Sequence, residues 1–282
     1  MRQAIVDSHI HFWDPANLQY DWLAEVPAIN KAFTPAELLA QAAAVNLEKI
    51  VFVQCDCVPE QSIREVEWVS ALAHAEPRLR GIVAFAPLEQ GATVRRQLQA
   101  LARFPLVKGI RRLIQSEGPG FCLQPDFVRG VQLLPEFGYS FDICVLHHQL
   151  GDVLQLVAQC PETNFVLDHI GKPGIKTRLL EPWQTQISQL ATYPNVWCKI
   201  SGLVTEADLH NWTAQDLQPY IDHIIAAFGI DRVMYGGDWP VSLLATTYQN
   251  WLETLATAVA DLPEADQKKL FSQNAEYFYR LS

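Results

Sequence analysis

The chain has 282 residues, 49% of them hydrophobic and 18% charged, which suits a packed globular core and excludes a disordered chain. It carries 21 Lys and Arg against 31 Asp and Glu, a net charge of −10 without a basic cluster. That balance argues against nucleic-acid binding and against an anionic membrane surface.

In chain order the sequence repeats one unit, a short apolar run followed by a helical pattern. The first run is Ala4–Asp7. A helix opens at Thr34-Pro35-Ala36-Glu37, with Thr as N-cap, Pro in the first turn and Glu at the third position. Lys49–Gln54 is the second run, and Ser62 to Ala75 is helical, with Ile63, Val66, Val69 and Ala73 on one face. Gly81–Pro87, Val107–Leu113, Ser140–Leu146, Asn164–Gly171 and Val196–Gly202 follow. Leu217 to Phe228 is a helix, Arg232–Trp239 the eighth run, and Tyr248 to Val259 the closing helix. Each spacing fits one strand, one helix and two loops. The runs are continuous rather than alternating, as expected of strands covered on both faces. Eight such units without a linker predict a single-domain (β/α)8 TIM barrel over residues 1–282. A doubly wound open sheet is the alternative. No G-x-G-x-x-G follows the first run, which weakens a dinucleotide-binding version of it.

No stretch reaches the roughly 18 apolar residues of a membrane span. The start, MRQAIVDSHIHFWDP, lacks a signal peptide's apolar region and cleavage site, so a cytoplasmic protein is expected. The 6 cysteines form no C-x-x-C pair and are expected to be reduced. Cys55-Asp56-Cys57 without further Cys partners is a poor zinc site.

Barrel enzymes carry their chemistry at the C-terminal ends of strands. Those ends hold Asp7-Ser8-His9-Ile10-His11, Gln54, Pro87, Arg111-Arg112, His147-His148, Asp168-His169, Lys199 with Ser201, and Asp238. His9 and His11, two apart on a strand, face one side with Cα atoms about 6.6 Å apart, close enough to converge on one ion or one substrate atom. The plain alternative is a core histidine bonded to backbone. Asp238, after Gly236-Gly237 and before Pro240, suits a metal ligand or general base, or else a helix N-cap. His169, ending an apolar strand before Gly171-Lys172-Pro173, suits a functional loop or closes the top core layer.

D-S-H-x-H-F-W-D-P, G-I-R-R, V-L-D-H-I-G-K-P, C-K-I-S-G-L-V-T-E-A-D and Y-G-G-D-W-P together resemble the amidohydrolase-related lactonases, from Ile5 to about Tyr279. Within them the chain is most similar to the sugar-acid lactonases of the L-fucono-1,5-lactonase type. The 2-pyrone-4,6-dicarboxylate lactonases are more distant. The resemblance implies a barrel that hydrolyses a lactone, with His9, His11, His169 and Asp238 at the family's metal positions and Asp238 as general base. Arg111 stands where a bridging Lys or Glu is wanted on the fourth strand, which argues against two metals. One divalent metal, zinc, is expected as possible and not necessarily required, and His147 or His148 could add a ligand.

On this reading Asp238 activates water, and zinc, or else His169, Arg111 or Lys199, faces the developing oxyanion. No G-x-S-x-G elbow suggests a covalent route. Trp13, Trp22 and Trp239 are candidate platforms for a sugar ring, or else core packing. Gln54, Asp142, His148 and Lys172 are candidate hydroxyl ligands. The expected partner is a small-molecule sugar lactone, bound by a monomer or small homo-oligomer. The alternatives are a 2-pyrone-4,6-dicarboxylate-type lactonase or another metal-dependent hydrolase or decarboxylase on the same barrel, and a non-catalytic sugar-binding protein.

Overall fold

The computed structural model describes residues 3–282. Eight strands, β1 (Ile5–Ile10), β2 (Leu47–Val53), β3 (Leu79–Ala84), β4 (Val107–Ile110), β5 (Ser140–Ile143), β6 (Phe165–Leu167), β7 (Val196–Ile200) and β8 (Val233–Tyr235), lie in sequence order, each parallel to the next. The seam is bridged just beyond β8, where Ile10 pairs with Trp239. This is the (β/α)8 barrel that the repeating unit predicts. The α-helices between and after the strands are α1 (Pro35–Gln41), α2 (Ser62–Ala75), α3 (Arg95–Leu101), α4 (Pro125–Gln132), α5 (Leu150–Gln159), α6 (Trp183–Leu190), α7 (Leu203–Glu206), α8 (Ala214–Phe228), α9 (Tyr248–Ala258), α10 (Glu264–Lys268) and α11 (Asn274–Tyr279). Thr34 and Glu37 form the expected reciprocal cap of α1.

Period-two alternation sorts the strand residues into two cores. Ile50, Phe52, Ile82, Phe141, Ile143, Phe165, Leu167, Cys198 and Ile200 pack outward against the helices. Val6, Val51, Val53, Val83, Val166 and Met234 turn inward and meet Ala275, Phe278, Tyr279 and Leu281, so the C-terminal segment plugs the barrel interior. Burial on both faces explains the continuous apolar runs. All 6 cysteines are free and buried. No described helix is long and apolar enough to cross a membrane.

The strands stop short of the apolar runs. Asn164–Gly171 reads as one run, but β6 ends at Leu167 because His169, Ile170, Gly171 and Lys172 all take positive φ, 53°, 50°, 74° and 46°. Such a left-handed turn is uncommon for side-chain-bearing residues, above all for β-branched Ile170. It is held by the Lys172 N–H on His169 O at 2.8 Å and by Trp183 Nε1 donating to Ile170 O at 2.7 Å.

Candidate active site

The site forms where the barrel closes. Asp238 N donates to His9 O and His11 N to Trp239 O, both at 2.8 Å. The β1–β2 register slips between Asp7 and Ile10, and the Asp7 side chain holds the irregularity. Asp7 Oδ1 accepts the N–H groups of His9 and Gly237, each at 2.9 Å, and Oδ2 accepts the Tyr248 hydroxyl at 2.9 Å. Gly237 is obligatory there, since a Cβ would strike Asp7 and the Tyr248 ring. Asp238, with φ +50°, is thereby turned toward the histidines.

His9 Nε2 and His11 Nε2 lie 3.2 Å apart. Asp238 Oδ1 stands 3.5 Å from His11 Nε2, and 3.9 Å from the Nε2 atoms of His9 and His169. The far nitrogen of each ring has its own partner. His11 Nδ1 meets Val53 O at 2.7 Å, a carbonyl that can only accept, so its proton sits there and Nε2 keeps a lone pair. His169 Nδ1 meets Ser201 Oγ at 2.9 Å, and His9 Nδ1 lies 3.3 Å from Asp168 Oδ1. Gly202, with φ +65°, clears the space for His169, because a Cβ there would fall 2.5 Å from His169 Nδ1.

Burial, reinforced for His9 by Lys199 and His11, holds the imidazoles of His9 and His169 well below the usual histidine range, and burial lowers His11 as well. Burial alone would lift the Asp238 carboxyl, yet His169, His11 and Lys172 outweigh it and keep it below the ordinary value. A carboxylate among imidazoles is the donor set of a divalent-metal site. Two nitrogens bound at about 2.0–2.1 Å to a tetrahedral ion stand roughly 3.3 Å apart, which the His9–His11 spacing of 3.2 Å fits. His9, His11 and Asp238 converge closely enough to hold one divalent ion, with His169 Nε2 beside them, 3.9 Å from Asp238 Oδ1. A second grouping, His9, Asp168 and His169, is geometrically close but already neutralised. Asp168 is paired with Lys199 at 3.0 Å and with Arg111 at 3.4 Å.

Beneath these groups the barrel interior holds a sealed charge network. Lys199 is fully buried and reaches Asp142 Oδ2 at 2.6 Å, Asp168 Oδ1 at 3.0 Å and His9 Nδ1 at 3.3 Å. Tyr279, from the C-terminal plug, donates its hydroxyl to Asp142 Oδ2 at 2.6 Å. Burial pulls the Lys199 ammonium down, but Asp142 and Asp168 more than restore it.

Above the histidines and Asp238 opens a cavity of about 220 Å³, room for one small ring. His11, Arg111, His169 and Asp238 form its floor. Its walls are Trp13, Trp22, Leu113 and Val241 on the apolar side and Asp56, Gln115, Lys172 and Thr205 on the polar side, with Cys55 and Cys144 between. The left-handed turn after β6 sets His169 and Lys172 three residues apart on one side, so both reach the cavity.

Of the residues expected at the site, the structure brings His11, His169, Asp238, Arg111, Lys172, Trp13 and Trp22 to the cavity, with His9 buried against its floor. Five stand elsewhere. Lys199 and Asp142, 0% exposed, belong to the network below. Gln54 is 1% exposed; its Oε1 accepts Asp56 N–H and its carbonyl accepts Arg111 Nη2. Trp239 is buried against Phe33 and donates Nε1 to Gln41 Oε1 at 3.3 Å. His148 is exposed on a turn after β5 and does not line the cavity. Asp56, Gln115, Cys144 and Thr205 line the cavity without having been expected there. Their one common signal in the sequence is position just past a strand end.

The fold, with His9, His11, His169 and Asp238 gathered at the C-terminal ends of the strands and a group among them able to hold a metal, is that of a barrel hydrolase. Residues 6–281 match the amidohydrolase family, and the chain belongs to it. The chain is 30% identical over 295 residues to an L-fucono-1,5-lactonase of Burkholderia multivorans, covering 98% of this chain and 96% of the relative. It is 24% identical to an L-rhamnono-gamma-lactonase of Scheffersomyces stipitis, over 98% of each. A crystal structure of an amidohydrolase from Burkholderia multivorans with bound zinc superposes with a TM-score of 0.89 at 30% identity, covering 99% of this chain and all of that one.

Proposed function

We propose that the protein is a cytoplasmic enzyme of sugar-acid metabolism that hydrolyses the lactone of an aldonic acid. The observation that carries this reading is Asp238 in the lining of a ring-sized cavity, its Oδ1 3.5 to 3.9 Å from the Nε2 atoms of His11, His9 and His169. Asp238 takes a proton from water as the water oxygen attacks the lactone carbonyl. The carbonyl oxygen gains charge facing the Arg111 and Lys172 cations, fixed charges in a largely dry site. The intermediate collapses, the ring C–O bond breaks, and the Asp238 carboxyl returns its proton to the departing ring oxygen. The product is the open hydroxy acid. A divalent ion on His9, His11, His169 and Asp238 supplies Lewis-acid polarisation of the carbonyl when bound.

The wall chemistry supports a neutral, polyhydroxylated ring. Trp13 and Trp22 offer aromatic surface, and Leu113 and Val241 suit the methyl group of a 6-deoxy sugar acid. A dicarboxylate needs free arginine forks, and neither arginine after β4 offers one. Arg112 is engaged with Glu89 at 3.1 Å and Glu117 at 2.6 Å, and Arg111 with Asp168 and Gln54 O. The lactonase names of two relatives point the same way.

The test is a pH-indicator hydrolysis screen over aldono-1,4- and 1,5-lactones, with 2-pyrone-4,6-dicarboxylate included. Turnover of neutral 6-deoxyhexonolactones above the rest is expected. Binding without turnover would leave a sugar-binding protein, and turnover of the dicarboxylate alone would move the substrate class.

A further inference from the structure

Asp56 stands on the loop after β2 and lines the cavity with a left-handed backbone, φ +55°. The turn is built rather than loose. Gln54 Oε1 accepts Asp56 N–H at 2.6 Å, and Glu65 Oε1 accepts Cys55 N–H at 3.1 Å. Trp22 Nε1 donates to Cys55 O at 2.8 Å, so the peptide that precedes Asp56 also fixes the indole beside it. Three side chains thus hold the carrier of this carboxylate. The carboxylate itself, on an exposed residue, has no hydrogen bond from any described residue; desolvation and Glu117 raise it from the ordinary aspartate value, and Arg111 and Arg112 oppose them from a distance. Those arginines are engaged elsewhere, as above.

On the same cavity, Lys172 gives one N–H to Gln115 Oε1 at 2.6 Å. An ammonium only donates, and a carboxylate only accepts. A hydroxyl does both, so a polyol satisfies the two groups together. A second carboxylate on the ligand suits Lys172 and is repelled by Asp56.

We propose that Asp56 is a specificity-determining residue, accepting hydrogen bonds from ring or side-chain hydroxyls of the lactone and excluding lactones that carry an additional carboxylate. The proposal rests on the lactonase reading. It differs from a purely structural role for Asp56 in one respect: a turn-former sets no charge preference among substrates.

The test compares wild type with Asp56→Asn on two substrates, a neutral aldonolactone and an aldaric acid monolactone, whose free carboxylate is the only added charge. Asparagine tolerates the left-handed backbone, so the turn survives and a matching thermal melt verifies it. Loss of the acceptor charge should raise KM for the neutral lactone by about 10-fold, with kcat changed less. The kcat/KM ratio of neutral to anionic substrate should fall by at least that factor. Binding of the two open-chain product acids, read by calorimetry, should shift in the same sense. A folded Asp56→Asn with the wild-type ratio and wild-type product binding overturns the assignment of Asp56 alone. Wild-type protein that hydrolyses no lactone overturns the lactonase reading, and the proposal with it.

Discussion

Replacing Lys199 with methionine keeps an unbranched side chain, one atom shorter, and deletes one charge from the barrel interior. Four groups balance there: Lys199 and Arg111 against Asp142 and Asp168. Lys199 and both carboxylates are 0% exposed, so water screens none of the loss. Removing one partner of such a buried pair typically costs about 3–5 kcal/mol. At about 2–4 °C per kcal/mol for a chain near this size, Tm should fall by roughly 6–20 °C. The double variant Lys199→Met/Asp142→Asn restores neutrality and leaves an amide oxygen to accept the Tyr279 hydroxyl, so it should recover more than half of the deficit. Burial already raises the Asp142 carboxyl. In the single variant that group takes up a proton as pH falls, and the deficit should shrink toward acid. Urea melts of the four cycle members, followed by tryptophan fluorescence at pH 7 and pH 5, read all of this. A single variant within about 1 kcal/mol of wild type, or a double variant no better than the single, would refute the charge accounting.

Gly202→Ala should lose roughly 1–2 kcal/mol to left-handed strain and displace His169, whose Nδ1 lies 2.5 Å from the new Cβ. Zinc titration by calorimetry should show weakened binding even where the variant stays folded. Glu65 is wholly buried, and burial, partly offset by the Cys55 N–H and Arg111, pushes its carboxyl from 4.5 to about 8. The folded state therefore keeps a proton that the unfolded state releases above its ordinary value. Stability from this group is full below pH 4.5, falls as pH rises to about 8 and is flat beyond. Glu65→Gln should remove that slope and exceed wild type at pH 9 by on the order of 5 kcal/mol; equal melts at pH 9 would exclude a raised Glu65 carboxyl.

The barrel is legible in the sequence because its strands are buried on both faces and its spacing is regular. α2 falls where periodicity predicts it, Ser62–Ala75. His9, His11, His169 and Asp238 are legible as strand-end residues whose chemistry has few other uses. What the pattern hides is depth and local backbone. Alternation can point Lys199 and Asp142 into the barrel, but only strand tilt and stagger decide that they sit below the cavity floor. The Asn164–Gly171 run carries no mark of the left-handed turn that ends β6 at Leu167. Trp239 is adjacent to Asp238 in the chain, yet its ring turns to the α1 side and packs on Phe33. Asp56 lies between two buried cysteines, and its aim into the cavity comes from Gln54 and Glu65, contacts that the linear sequence does not display.

The most direct test of the account is the pH profile of kcat/KM for wild type and Asp238→Asn on a hydrolysed aldonolactone, with zinc content measured in both. Asparagine keeps the shape and removes the basic oxygen. The account predicts a kcat lower by about 10²–10⁴ in a folded variant. In wild type it predicts an acid limb that reports the protonation of Asp238, and in Asp238→Asn no such limb. Near wild-type kcat in Asp238→Asn, with the acid limb intact, would contradict it and place the base on another group.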